Sequence, residues 1–241
     1  MAGKQNFNPW MMSTVVLIAL IIGYVVGGMG GGGITFEGSG DTADAPEIAL
    51  GELSGGEGPI LGDSDAPVVL EEYSDYQCPY CKRHYTNTFM QLYNTYVKTG
   101  QVRLEFKDYP LSFHANAVPA AVAAYCAGEQ KNYWGMHDAL YENFDLWAKS
   151  TNPNVEFVRI AKALKLKTKN FEKCLSSGNY DAIIDANQAE GVKKGVTGTP
   201  AFFINGKKVV GAQPFSVFKS LIEEAMEPEA VEEEVEVELT E

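Results

Sequence analysis

Two of the chain's four cysteines stand three positions apart, in Cys78-Pro79-Tyr80-Cys81. The pair follows an apolar run, Pro67-Val68-Val69-Leu70-Glu71-Glu72-Tyr73, and opens a helix-like stretch from Lys82 to Lys98. A strand over 67–74 and a helix over 79–98 put the first sulfur at a helix N-terminus, where unpaired backbone N–H groups and the helix dipole favour an anion. A thiolate is the attacking species in disulfide exchange. Cys78 therefore reads as the nucleophile and Cys81, on the same helix face, as the resolving partner. Half of a zinc site is the competing reading, but it needs a second Cys/His pair at similar spacing, which Cys126 and Cys174 do not form. A c-type haem would place His after Cys81, where Lys82 stands. Lys82 and Arg83 either add positive potential near the thiolate or cover an exposed helix face.

Glu72 lies six residues before Cys78 on a strand expected to be central. A carboxyl buried there would have a raised pKa and could take the proton from Cys81 during resolution. The alternative is a strand-end carboxylate in water, which the neighbouring Glu71 makes harder to dismiss. Cys126 and Cys174 lie in a helical block; the alternatives are two lone buried thiols or, in an exported domain, a structural disulfide. Such a bond closes a loop of 49 residues, a constraint of about 4 kcal/mol on the unfolded chain in the entropic model. His84, His114 and His137 show no metal spacing and read as helix-surface or satisfied histidines. Tyr133, Trp134, Tyr141, Phe144 and Trp147 read as core. The motifs call for no metal and no cofactor.

The elements that must position these residues follow in order. After the strand at 67–74 and the helix at 79–98, a second strand is expected at 101–107. A long helical block spans 114–194, with breaks near Gly128, Asn152-Pro153 and Gly178. Ala201-Phe202-Phe203-Ile204, the turn Asn205-Gly206 and Lys208-Val209-Val210 predict a hairpin, since Asn-Gly between apolar runs is a strong hairpin signal. A last helix covers about 215–226. No internal repeat is evident.

The formal net charge of −13 is unevenly placed. Residues 37–65 carry eight acidic and no basic side chains, and 228–241 carry seven acidic and none basic. The remaining core, 66–227, has 18 Lys+Arg against 17 Asp+Glu, which supports no nucleic-acid groove. Residues 10–29 contain no charge. Twenty residues at 1.5 Å each give about 30 Å, enough to cross a bilayer's hydrocarbon core. Lys4 precedes the segment and acidic residues follow it, so the positive-inside rule leaves 1–9 cytoplasmic and the rest outside. A cleaved signal peptide is the alternative. Both readings export the domain, to the periplasm or cell exterior, where disulfides persist. Residues 30–59 read as a flexible acidic, Gly-rich linker, 60–227 as the folded domain, and 228–241 as a disordered acidic tail.

Three stretches carry a family resemblance: Glu72-Tyr73-Ser74-Asp75-Tyr76-Gln77-Cys78-Pro79-Tyr80-Cys81, the segment from Tyr133 to Tyr141, and Gly195-Val196-Thr197-Gly198-Thr199-Pro200 running on to Gly206. Over residues 60–227 the chain resembles the DsbA-like thiol:disulfide oxidoreductases of the thioredoxin superfamily, in particular the membrane-tethered, BdbD-like forms. The resemblance implies an α/β thioredoxin fold with a helical domain inserted between its β-α-β and β-β-α halves. It implies oxidation of cysteines in exported proteins and reoxidation by a membrane partner of DsbB or VKOR type. It carries the nucleophile to Cys78, the resolving cysteine to Cys81, the cis-proline to Pro200 and the buried acid to Glu72. Pro79, Tyr80 and the Thr199 backbone then face substrate, and a Cys126/Cys174 pair occurs in some members. Two departures stand out: Pro79-Tyr80 resembles the glutaredoxin pair rather than the Pro-His of the most oxidising relatives, and Glu71 replaces an apolar strand residue. A less oxidising site follows, with reductase or isomerase activity as the alternative direction. A copper-binding module on the same cysteines and a holdase are the readings from other classes.

Overall fold

The computed structural model describes residues 50, 53, 55–56 and 58–227. The expected cytoplasmic N-terminus, transmembrane segment, most of the linker and the acidic tail lie outside the described residues.

Five strands form one sheet in the order β1-β3-β2-β4-β5. The strands are β1 (Ile60–Leu61), β2 (Val68–Ser74), β3 (Val102–Asp108), β4 (Ala201–Ile204) and β5 (Lys207–Val210). β2 is central: it pairs parallel with β3, Glu72 opposite Phe106 and Ser74 opposite Asp108, and antiparallel with β4, Glu72 opposite Phe202. A parallel pair needs a crossover, and the helix carrying the cysteines supplies it. That helix, α1, begins at Pro79–His84 and continues through Tyr85–Phe89, Met90–Leu92 and Tyr93–Val97. The sequence predicts one uniform α-helix here. The structure instead widens it to π-helical turns at Tyr85–Phe89 and Tyr93–Val97, a feature that helix propensity does not encode. The β4–β5 turn places Asn205 at φ 43° and Gly206 at φ 86°, the left-handed pair an Asn-Gly hairpin needs.

Between β3 and β4 stands the inserted helical domain: α2 (Ala117–Gly128), α3 (Tyr133–Glu142), α4 (Phe144–Trp147), α5 (Pro153–Ala163), α6 (Thr168–Leu175) and α7 (Asp181–Lys193). The final helix, α8 (Phe215–Met226), closes the β-β-α half. This is the α/β thioredoxin fold with a helical insertion. Phe106, Phe202, Phe218, His84 and the aromatic residues of α3 fill the core on one sheet face. Tyr73, Tyr109 and Phe203 pack on the other, under α7. Gly191 makes that second approach possible, since a Cβ there would lie 2.7 Å from the Tyr109 ring and 2.9 Å from Tyr73.

The expected linker is partly built into the fold. Leu53 is buried, and its N–H donates to Asp138 Oδ2 at 2.8 Å. The carbonyls of Gly55 and Gly56 accept from the Trp134 and Tyr133 N–H groups at 3.0 and 2.9 Å. Those are first-turn donors of α3, which otherwise lack an intrahelical partner. A Cβ on Gly56 would sit 2.7 Å from Trp134, so glycine is required by close approach as well as by its φ of 87° and 80° at the two positions in turn. Composition suggests coil here because the bonds come from backbone groups.

Candidate active site

Cys78 caps α1 from an extended backbone conformation, and Pro79 occupies the first helical turn, where its missing N–H costs nothing. Both Cys78 and Cys81 are free thiols, 3% and 1% exposed. The Cys78 thiol is lowered to about 6. The leading cause is the Cys81 thiol, which hydrogen-bonds the Cys78 sulfur; burial opposes it. Thr199 and the backbone N–H groups of Cys81 and Tyr80 add to the lowering. The helix N-terminus expected from sequence thus acts through two specific amides, behind the partner thiol. Cys81 moves the other way: burial and the adjacent Cys78 push its thiol well up. One sulfur is ionised at neutral pH and its neighbour holds a proton, which is the asymmetry disulfide exchange needs.

The Thr199–Pro200 bond is cis, and the Thr199 carbonyl lies 3.5 Å from Cys78 Sγ. The buried Thr199 hydroxyl makes no other hydrogen bond, so it is free to donate to the thiolate. Tyr80 stands 57% exposed beside Cys78, with the Arg83 guanidinium over its ring at 5.0 Å. Lys82 lies over Phe144 and pairs with Asp145 at 3.0 Å. Arg83 is therefore engaged within α1, and Lys82 reaches across to α4 of the insertion.

Glu72 lies on β2 with 2% exposure, and burial raises its carboxyl to about 7. Glu71 points to the opposite sheet face, where Lys194 holds it at 2.6 and 2.7 Å. The strand's alternation separates the two carboxylates, and Lys194 accounts for the polar residue at position 71. Cys126 and Cys174 are joined by a disulfide between α2 and α6, remote in sequence from the reactive pair.

Three buried groups around β2 and α1 were not read from the sequence: Asp75, Asp108 and His84. Asp75 is buried, and its N–H donates to Cys81 Sγ at 3.5 Å. Its carboxylate accepts from the N–H groups of Gln77 and Leu111 at 2.7 and 2.8 Å and pairs with His114 Nδ1 at 2.7 Å. Asp108, opposite Ser74, is raised to about 7 by burial. His84 is neither surface nor satisfied: it is 1% exposed, its ring nitrogens make no hydrogen bond, and Nε2 stands 3.7 Å from Glu72 Oε2. The signal for it was its place three residues after Cys81, on the same helix face. His137 is a core residue paired with Asp138 at 3.1 Å. Among the described residues, no group of three or more His, Cys, Asp or Glu side chains is placed to hold a metal ion.

Comparison with known proteins agrees with this geometry. A family model described as thioredoxin matches residues 54–224. A Rickettsia conorii protein named as a protein-disulfide oxidoreductase is 24% identical over 169 residues, 70% of this chain and 60% of its own length. Disulfide bond formation protein D of Bacillus subtilis is 23% identical over 172 residues, covering 70% of this chain and 77% of the relative. The crystal structure of Wolbachia pipientis alpha-DsbA1 superposes with a TM-score of 0.62 at 26% identity, over 69% of this chain and 89% of that one. With a cysteine pair on the crossover helix, a cis-proline facing it and a helical insertion, the chain belongs to the thioredoxin family, as a DsbA-like member.

Proposed function

We propose that this protein is an extracytoplasmic dithiol–disulfide oxidoreductase that inserts disulfides into exported proteins. The observation that carries this reading is the split between Cys78, ionised near pH 6, and a protonated, buried Cys81. In the oxidised enzyme a substrate thiolate attacks Cys78 Sγ, the Cys78–Cys81 bond breaks, and Cys81 leaves and takes up a proton. The substrate's second thiol then attacks the mixed disulfide and releases Cys78 as a stabilised thiolate. Stabilising the leaving thiolate favours the reduced enzyme, which makes the pair an oxidant. Glu72, raised to about 7, supplies and recovers the proton near neutral pH. An extended substrate segment pairs with the Thr199 backbone and contacts Pro79 and exposed Tyr80.

Residues 10–29 anchor the domain in the membrane, a reading supported by their uncharged run and by the charge asymmetry around them. Among the described residues, no helix is long and apolar enough to cross a membrane. A membrane partner of DsbB or VKOR type reoxidises the pair. The reduction potential tests the direction: equilibrating the domain with glutathione buffers is expected to give a value above about −200 mV, and one near −270 mV, that of thioredoxin, would assign reductase activity instead.

A further inference from the structure

The reaction moves a proton on and off Cys81, a sulfur with 1% exposure. The groups packed against that sulfur therefore govern how the proton leaves and returns. Ser74, the last residue of β2, is placed for this. It shares a sheet face with Glu72, two residues away, and is itself 1% exposed. Its side chain acts on both the Glu72 carboxyl and the Cys81 thiol, favouring the ionised form of each, and the Cys81 sulfur rests against the next residue of the chain, accepting from the Asp75 N–H at 3.5 Å. Ser74 Oγ stands 3.2 Å from the buried Tyr141 hydroxyl on α3. Burial holds that phenol far above its usual range, so Tyr141 orients the serine without ionising.

The other groups facing this point do not replace it. The Asp75 carboxylate is already occupied by two backbone N–H groups and His114. Asp108 lies across the strand pair, beside Tyr125 and Asn187. His137 on α3 pairs with Asp138. His84 on α1 faces the far oxygen of Glu72. We propose that the Ser74 hydroxyl is the proton relay between Cys81 and Glu72, an inference that rests on the oxidoreductase reading.

In the release step, Cys81 S–H gives its proton to Ser74 Oγ while Ser74 O–H gives its own to the Glu72 carboxylate. The Cys81 thiolate attacks Cys78 Sγ in the mixed disulfide. The Cys78–Cys81 bond forms, the bond from Cys78 to the partner sulfur breaks, and that sulfur leaves with the electron pair as a thiolate. The cysteine pair is oxidised and the partner sulfur reduced. In the oxidising direction the same two protons return, ending on Cys81.

The test forms a glutathione mixed disulfide at Cys78 and follows glutathione release by Cys81 from pH 5 to 9. Ser74→Ala is expected to slow release by about tenfold or more and move its pH midpoint upward. Ser74→Thr, which keeps the hydroxyl, restores both. On the wild-type protein, release rates in mixtures of H2O and D2O should curve with deuterium content, as two protons in flight require; this arm stands even where Ser74→Ala fails to fold. Release by Ser74→Ala within twofold of wild type, an equally slow Ser74→Thr, or a linear isotope dependence would overturn the relay. A wild-type domain that releases no glutathione would overturn the oxidoreductase reading beneath it.

Discussion

Glu72 and His84 face each other inside the protein, and their ionisations act on stability in opposite senses. Burial raises Glu72 from 4.5 to about 7. The unfolded chain ionises this carboxyl above pH 4.5, while the folded protein keeps it protonated up to about 7. Its contribution is therefore intact below pH 4.5 and is lost as pH rises through 7. His84 is lowered from 6.5 to about 3, first by burial and then by His137. Its contribution is present above pH 6.5 and is lost as pH falls toward 3. Glu72→Gln removes only the first effect. The variant is expected to match wild type in denaturant unfolding at pH 4 and to exceed it by about 3 kcal/mol at pH 8. Equal stabilities at both pH values would show that Glu72 is not held protonated. Glu72's burial was legible from its strand, but His84's partner and Ser74's role were not. Both depend on which side chains a distant helix brings across, and no local pattern records that.

At the scale of elements, the chain wrote its sheet more plainly than its connections. β2 and the β4–β5 hairpin follow from apolar runs and from Asn205-Gly206, since both are local signals. The six-helix insertion was legible as a helical block with the right punctuation at Gly128, Asn152-Pro153 and Gly178. The breaks at Asn143 and at Lys165–Lys167 were not, having neither proline nor glycine. The strap from Leu53 to Gly56 was hidden for another reason. Its hydrogen bonds come from backbone N–H and carbonyl groups, and its one buried side chain sits in a Gly- and Glu-rich stretch. The Cys126–Cys174 bond ties α2 to α6 within the insertion and leaves the reactive pair untouched. Replacing both cysteines by alanine is expected to lower unfolding free energy by about 4 kcal/mol, less any relaxation. The Cys78 titration should not move. A shifted Cys78 midpoint in that variant would mean that the insertion couples to the thiolate.

For the molecule as a whole, charge and hydropathy divide the labour. The near-neutral core at 66–227 carries the chemistry, while the acidic charge is concentrated on both flanks. The proposed anchor at 10–29 would keep the domain where exported thiols emerge and where a reoxidising membrane protein is within reach. Intact cells treated with a membrane-impermeant reductant and then a membrane-impermeant maleimide are expected to carry label on Cys78; labelling only after lysis would contradict the export reading. Attack, release and redox direction all depend on the ionisation of one sulfur. Thiolate absorbance near 240 nm, followed through a pH titration of the reduced domain with Cys78→Ser as the blank, measures it. The structure predicts a midpoint near pH 6, and a midpoint at about 8.5, that of an ordinary free cysteine, would contradict it.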